Sequence, residues 1–198
     1  MRMSLGENMI VTLFGESHGP AVGALIEGMP ANVEFDLEQL ITDMVSRRPG
    51  SGLASKRKET DDVEILSGVN NGKTTGMPIL LLIRNQDVRS KDYSFLPYQP
   101  RPGHVDHPIN IKTEGAADLR GGGSFSARLT AGLVAASSIS RNIIPDDWKI
   151  EATVGALGGL VGDEGIALAE QARKAGDSLG SRVDLVITGL PIGLGEPW

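Results

Sequence analysis

The chain has 198 residues, 40% of them apolar, which suits one domain with a sizeable core and argues against disorder. Nineteen basic and 25 acidic residues give a net charge of −6, and only 4% of residues are aromatic. Bulk attraction to nucleic acid or anionic lipid and an aromatic stacking platform for single strands are therefore poor readings. The absence of cysteine excludes disulfides, a thiolate nucleophile and a cysteine-based zinc site, and leaves three histidines, His18, His104 and His107, for acid–base or metal chemistry.

Residues 1–9 are polar and lack the apolar core of a signal peptide, and no run approaches the roughly 20 apolar residues of a spanning helix, so a cytoplasmic location is expected. Residues 9–14 (MIVTLF) and 22–26 read as strands joined by the polar turn GESHGP. From Leu37, the apolar residues Leu37, Leu40, Ile41, Met44 and Val45 fall on one helical face. Asp36 suits the N-cap, with Gln39 as its capping-box partner, and Arg47 and Arg48 suit the last turn before Pro49. A polar loop over 50–60 leads to strands over 63–66 and 79–83, separated by a turn-rich segment at 70–78. Residues 86–103 form a long irregular stretch with three prolines. A helix is expected over 124–144, a strand over 151–157, a helix over 163–175 ending at Gly176, and a strand over 182–188. Mixed elements without a regular βαβ period point to an α+β fold, read as a single domain over 1–198.

Four constellations stand out. Gly15-Glu16-Ser17-His18-Gly19 fits the G-x-S-x-G pattern of a serine nucleophile, but that pattern needs a following helix, and the residues after Pro20 look like strand. The bland alternative is a hairpin turn whose Ser17 and His18 bond to the backbone. Arg47, Arg48, Lys56, Arg57 and Lys58 form a local basic excess suited to a small polyanion, or a solvated loop balanced by Glu59, Asp61, Asp62 and Glu64. In Arg101-Pro102-Gly103-His104-Val105-Asp106-His107, the spacing allows a metal site only if His18 joins it. An acid–base site beside Arg101 is the more attractive reading, with Asp106 or Asp118 orienting an imidazole. Finally, the glycine run Gly121-Gly122-Gly123 before Ser124, Phe125, Ser126 and Arg128 suits an anion cradle at a helix start, although the P-loop pattern is absent. Together these features suit acid–base chemistry on a phosphorylated, carboxylated small molecule.

The blocks FGESHG, RRPG, DDVEILSG, TTGMPILLLIRN, RPGHVD, GGGSFSAR, AGDSLG and TGLPIGLGEP, in this order along the whole chain, closely resemble the chorismate synthase family. Members are nearly twice this length, so the resemblance implies a chain truncated on its C-terminal side. It also implies a β-α-β sandwich with helices between antiparallel sheets and assembly as a homotetramer; a partial sandwich would leave an apolar face uncovered. The implied activity is that of a carbon–oxygen lyase of the shikimate pathway to aromatic amino acids. It converts 5-enolpyruvylshikimate 3-phosphate to chorismate by anti-1,4-elimination of phosphate, using reduced FMN without net redox change, with NADPH as a reductant in some members. The resemblance gives His18 the role of acid near the departing phosphate and His104 that of serving N1 of the flavin. Arg47, Arg48, Arg101 and Arg128 take substrate-gripping positions, Arg47 also being a candidate for NADPH, and Ser124, Phe125 and Ser126 the flavin-contacting stretch. No metal is implied, and His107 has no family role. Leu53 stands where members often carry arginine, and Ser124-Phe125 where many read Arg-Ser. The competing readings are a phosphate- or flavin-binding fragment without activity and a hydrolase using Ser17.

Overall fold

The computed structural model describes residues 2–48, 59–86 and 90–194. The basic residues Lys56, Arg57 and Lys58, the loop positions Pro49 and Leu53, and the end at Trp198 lie outside the described residues. Contacts group the described residues into two compact units, one comprising residues 2–48, 59–86 and 90–143, the other 144–194.

The first unit is built on a five-stranded sheet. In chain order its strands are β1 (Ser4–Leu5), β2 (Ile10–Gly15), β3 (Ala21–Glu27), β5 (Val63–Ser67) and β8 (Ile79–Arg84), arranged β1-β2-β3-β8-β5. All pairs are antiparallel. Between these strands come β4 (Ala31–Glu34), β6 (Val69–Asn70) and β7 (Lys73–Thr75), a small separate sheet that structures the segment expected to be only turns. Alternation along β8 buries Ile79, Leu81 and Ile83, while β3 buries Val22, Ala24 and Ile26. Each such aliphatic side chain contributes about 1.5–3 kcal/mol when removed from water.

Helix α1 (Leu37–Ser46) starts as expected, with the Asp36 carboxylate accepting from the Glu38 N–H at 2.8 Å. Gln39 does not close a capping box; its amide donates to Asp43 instead. The helix ends at Ser46, so Arg47 is its C-cap rather than part of its last turn. Of the expected apolar face only Leu40 and Met44 are buried; Leu37, Ile41 and Val45 are about half exposed, because the stripe is wider than the surface it covers. Helix α2 (Asp106–Lys112) lies in a segment where no element was expected. Its Pro108 lies in the first turn, where no intrahelical N–H is needed, so proline does not forbid it. The helix expected from Ser124 begins only at α3 (Thr130–Ser140), preceded by short 3₁₀ turns at Arg120–Phe125 and Ala127–Leu129. The break is at Ser126, whose extended backbone (φ −71°, ψ 145°) and capping hydroxyl separate the two turns, while the positive φ of Gly121, Gly122 and Gly123 (58°, 89° and 53°) keeps the preceding run out of a right-handed helix.

Helix α3 lies on the sheet through small residues. Ala131, Ala135 and Ala136 are fully buried. At Gly132 a Cβ would sit 2.5 Å from the carbonyl oxygen of Gly23 on β3. The second unit pairs β9 (Lys149–Leu157) with β10 (Ser181–Thr188) antiparallel, with α4 (Gly162–Ala175) closed by a left-handed Gly176. Its two strands leave Ile150, Val154, Val183 and Leu185 at least half exposed on one face, with Val186 exposed on the other. The architecture is α+β with antiparallel sheets and packed helices. Among the described residues no helix is long and apolar enough to cross a membrane.

The close approach of α3 to β3 inverts an ordinary expectation. Alanine in place of a mid-helix glycine normally gains about 0.5–1 kcal/mol. Gly132→Ala is expected to lose about 1–3 kcal/mol instead, as overpacking does, measured as a lowered urea midpoint at unchanged slope; a raised midpoint would contradict the packing.

Candidate functional site

The turn between β2 and β3 places Ser17 and His18 at one end of the sheet. It is pinned by Asn85, just past β8, whose amide donates to the carbonyls of Glu16 (3.0 Å) and Gly19 (2.8 Å). Ser17 is buried and its N–H donates to the Gly123 carbonyl at 3.0 Å. The turn runs straight into β3 rather than into a helix, so the strand–turn–helix context of a serine nucleophile is absent here.

The glycine run packs against two imidazoles. A Cβ on Gly121 would lie 2.4 Å from Cε1 and Nδ1 of His18; one on Gly122 would lie 3.2 Å from Cε1 and 3.4 Å from Nε2 of His104. The positive φ angles and this lack of space both demand glycine. The two histidines, far apart in sequence, thus flank adjacent peptide units. Tyr93 completes the surround, its ring edge-on to His18 with centroids 4.9 Å apart and its face under the Arg101 guanidinium at 5.4 Å.

Asp106 ties Arg101 to His104. Its buried carboxylate accepts from Arg101 at Nε (2.8 Å), Nη2 (2.8 Å) and the backbone N–H (3.1 Å), and lies 2.8 Å from His104 Nδ1. The Arg101 hydrogen bond holds the Asp106 carboxyl down at about 2, against an opposing effect of burial. Of the two candidate orienting acids, Asp106 is therefore the partner of His104. Asp118 is held below the usual carboxylate range by Arg120, with a smaller contribution from the charge of His18. His107 is exposed on α2, turned to solvent, and among the described residues no group of His, Asp and Glu could hold a metal ion.

The arginines form a second cluster. Asp61, only 2% exposed, bridges Arg47 through one carboxylate oxygen and Arg128 through the other. Arg128 is buried as well, donating from Nε to Asn85 at 3.0 Å, with Glu59 3.9 Å from Nη2. Arg48 donates to the Thr60 carbonyl and lies 3.8 Å from Asp62. Of the acids expected to balance the basic loop, Asp61 pairs with Arg47 and Asp62 lies near Arg48, while Glu59 faces Arg128 and Glu64 pairs with Arg84. Asn85 joins the two clusters, holding the His18 turn with its amide and Arg128 with its carbonyl. Sequence reasoning missed Tyr93 and Asn85; the acidic pair Asp61-Asp62 beside a basic loop was the available signal for Asp61.

A cavity of about 330 Å³ opens beside the glycine run, lined among others by Glu16, Asp106, Asp118, Gly122, Ser124 and Phe125. Ser126 is not part of that wall; its hydroxyl caps the following turn by accepting from the Arg128 N–H at 3.2 Å. The arrangement offers two imidazoles, several guanidinium groups and a side-chain-free backbone strip beside a cavity, which suits proton transfer to or from an anionic ligand.

The chorismate synthase family model matches residues 9–198. The chain is 42% identical to the chorismate synthase of Aeropyrum pernix over 99% of its own length and 59% of that protein's. It is 41% identical to that of Thermococcus kodakarensis, covering 98% of itself and 61% of the relative, and 44% identical to that of Chitinophaga pinensis, covering 98% and 58%. It therefore spans about 60% of the length of these relatives. A solved crystal structure of chorismate synthase shares its fold, with a TM-score of 0.72 at 24% identity over 96% of this chain and 60% of that one.

The Asp106 clamp has a pH signature. Because its folded carboxyl titrates at about 2 rather than near the ordinary 3.8, it adds stability above pH 4 that is lost as pH falls from about 4 towards 2. Wild type should lose stability over that window more steeply than Asp106→Asn in urea titrations at each pH; parallel curves would contradict the clamp.

Proposed function

Because the chain belongs to the chorismate synthase family, we propose that its site serves the elimination of phosphate from 5-enolpyruvylshikimate 3-phosphate to give chorismate, in the cytoplasm, as a single family domain whose whole protein is longer and homotetrameric. The observation that carries this reading is the convergence of His18 and His104 on one glycine run beside a cluster of arginines. The reaction breaks the C3–O bond to phosphate and removes a proton from C6; the C6–H electrons form a C6=C1 double bond while the existing C1=C2 double bond shifts to C2=C3, giving a conjugated diene. His18 stands as the acid that protonates the leaving phosphate. Arg47, Arg48 and Arg101, all partly exposed, offer guanidinium edges to phosphate and carboxylates. Arg128, whose nitrogens are engaged, holds Asp61 and Arg47 in place and adds its charge from within.

The residues fit a flat cofactor. Gly122 presents bare backbone beside the imidazole of His104, and the adjoining cavity has Ser124 and Phe125 in its wall. Reduced FMN, when bound, would lend electron density as phosphate departs and help take the C6 proton. His104 would meet its ring edge, and Ser124 and Phe125 would line its surface, with Ser126 bracing the turn behind them. Arg47 is the candidate contact for NADPH where that reductant is used.

The test is anaerobic. The chain is mixed with 5-enolpyruvylshikimate 3-phosphate and chemically reduced FMN, and chorismate is followed by absorbance. Chorismate formation by the chain supports the reading; in the whole protein, turnover is expected to fall by about 10²–10⁴ in His18→Ala and in His104→Ala, the range for a lost acid or base, with weaker substrate binding in Arg47→Ala. Saturable binding without product would identify a binding fragment. Neither binding nor product would overturn the reading, and labelling of Ser17 by a fluorophosphonate would point to the hydrolase instead.

A further inference from the structure

The side chain of Asn85 bonds both to the turn that carries His18 and to the arginine cluster. Asn85 follows β8, and its own N–H donates to the Pro20 carbonyl at 3.1 Å, which extends the pairing of β8 with β3 by one bond. The sheet therefore fixes the backbone from which the amide projects. Nδ2 donates to the carbonyls of Glu16 (3.0 Å) and Gly19 (2.8 Å). These are the first and last carbonyls of the four-residue turn 16–19, which the Gly19 N–H closes on the Glu16 carbonyl at 3.1 Å. At its other end, Oδ1 accepts from Arg128 Nε at 3.0 Å. The chemistry permits one orientation of this amide. Two carbonyl oxygens call for a group with two hydrogens, and a guanidinium N–H calls for an acceptor. Turned over, the amide would set oxygen against two oxygens and hydrogens against a cation. Aspartate at this position would keep the acceptor and lose both donors.

The acceptor end also has a geometric role. The Arg128 guanidinium is engaged at Nε by Asn85, at Nη1 by Asp61 and at Nη2 by the Arg84 carbonyl (3.4 Å), so its plane is set from three sides. Asp61 in turn holds Arg47. We propose that Asn85 is a positioning residue, a two-ended spacer that sets the separation between the His18 turn and the Arg128–Asp61–Arg47 cluster. The spacing follows from the bonds themselves; its consequence for turnover rests on the lyase reading above. In that reading the leaving phosphate meets His18 and the guanidinium groups at once, so their separation decides whether the proton and the positive charge reach the same oxygens.

The experiment separates the two ends. In the wild-type chain, without substrate or flavin, both Asn85 Nδ2 protons should exchange with water at least about tenfold more slowly than those of the exposed Asn71, as hydrogen-bonded amides do. Exchange at the Asn71 rate would overturn the proposal without any variant. Asn85→Asp removes the donor end alone: the His18 Cε1–H resonance should move and its Overhauser contacts to Tyr93 should weaken, while the Arg128 Nε–H stays protected from exchange. Asn85→Ala should disturb both. A folded Asn85→Asp protein with the His18 signals unmoved would refute the spacer; if that variant does not fold, the wild-type exchange rates decide. In the whole protein, assayed anaerobically with reduced FMN, Asn85→Asp should lower kcat by about 10–10²-fold with KM near its wild-type value, and Asn85→Ala should raise KM as well. Asn85→Asp should add little to the loss already caused by His18→Ala, because it acts through that residue; an additive loss would contradict it. Should the exchange and ring signals appear as expected while the whole protein forms no chorismate, the lyase reading fails and the positioning stands.

Discussion

The site depends on a steric fact: the Gly121-Gly122 backbone has imidazoles against it where side chains would otherwise be. A methyl group at Gly121 has no room beside the His18 ring, one at Gly122 would press on the His104 ring at 3.2 Å, and the positive φ of all three glycines keeps the run out of a right-handed helix. Around this strip the contacts close into a circuit. His18 meets Tyr93, Tyr93 meets Arg101, Arg101 and His104 share Asp106, and His104 returns to Gly122. Each member limits the rotamers of the next, so two histidines far apart in sequence are presented together.

Charge balance follows the same plan. Two buried carboxylates, Asp61 and Asp106, each hold a pair of cationic or potentially cationic groups: Arg47 with Arg128, and Arg101 with His104. Burying a carboxylate alone would be costly, and each is compensated by several donors. The guanidinium groups gain a fixed orientation in return. For a polyanionic substrate this matters more than raw positive charge, because preorganised donors need not be rearranged as charge develops on the leaving group. Asn85 couples the two centres, since one amide side chain holds both the His18 turn and Arg128.

Much of this was legible in the sequence where the signal is local. The strands β2, β3 and β8 announced themselves as apolar runs, Asp36 and Gly176 marked helix ends, and the glycine run beside Ser and Arg pointed to a ligand. What stayed hidden is non-local or overruled by backbone geometry. Helix α2 lies in a segment where no element was expected, and its Pro108 falls where a helix tolerates it. The alanine-rich 124–144 segment argued for one long helix, yet the extended backbone of Ser126 delays it to Thr130. The five-residue face of α1 was read correctly as a period but not as a burial pattern, since periodicity cannot say how wide the covering surface is. Tyr93 sits in an irregular stretch with no pattern to single it out, and the pairing of Asp61 with Arg128 spans 67 positions that only the fold closes. The resemblance to chorismate synthases, spread over eight blocks, supplied the roles that spacing alone left open.

The central claim, that the glycine run sets the histidines, is tested most directly by Gly121→Ala with ring-proton NMR of the three histidines. Gly72→Ala serves as a control, because Gly72 also has a positive φ (72°) but open space around it. A methyl at Gly121 cannot coexist with the present His18 ring, so the His18 Cε1–H resonance should move and its nuclear Overhauser contacts to Tyr93 should be lost. The exposed His107 should not respond, and Gly72→Ala should leave all three histidines unchanged. A folded Gly121→Ala protein with the His18 resonance and its Tyr93 contacts intact would contradict the claim.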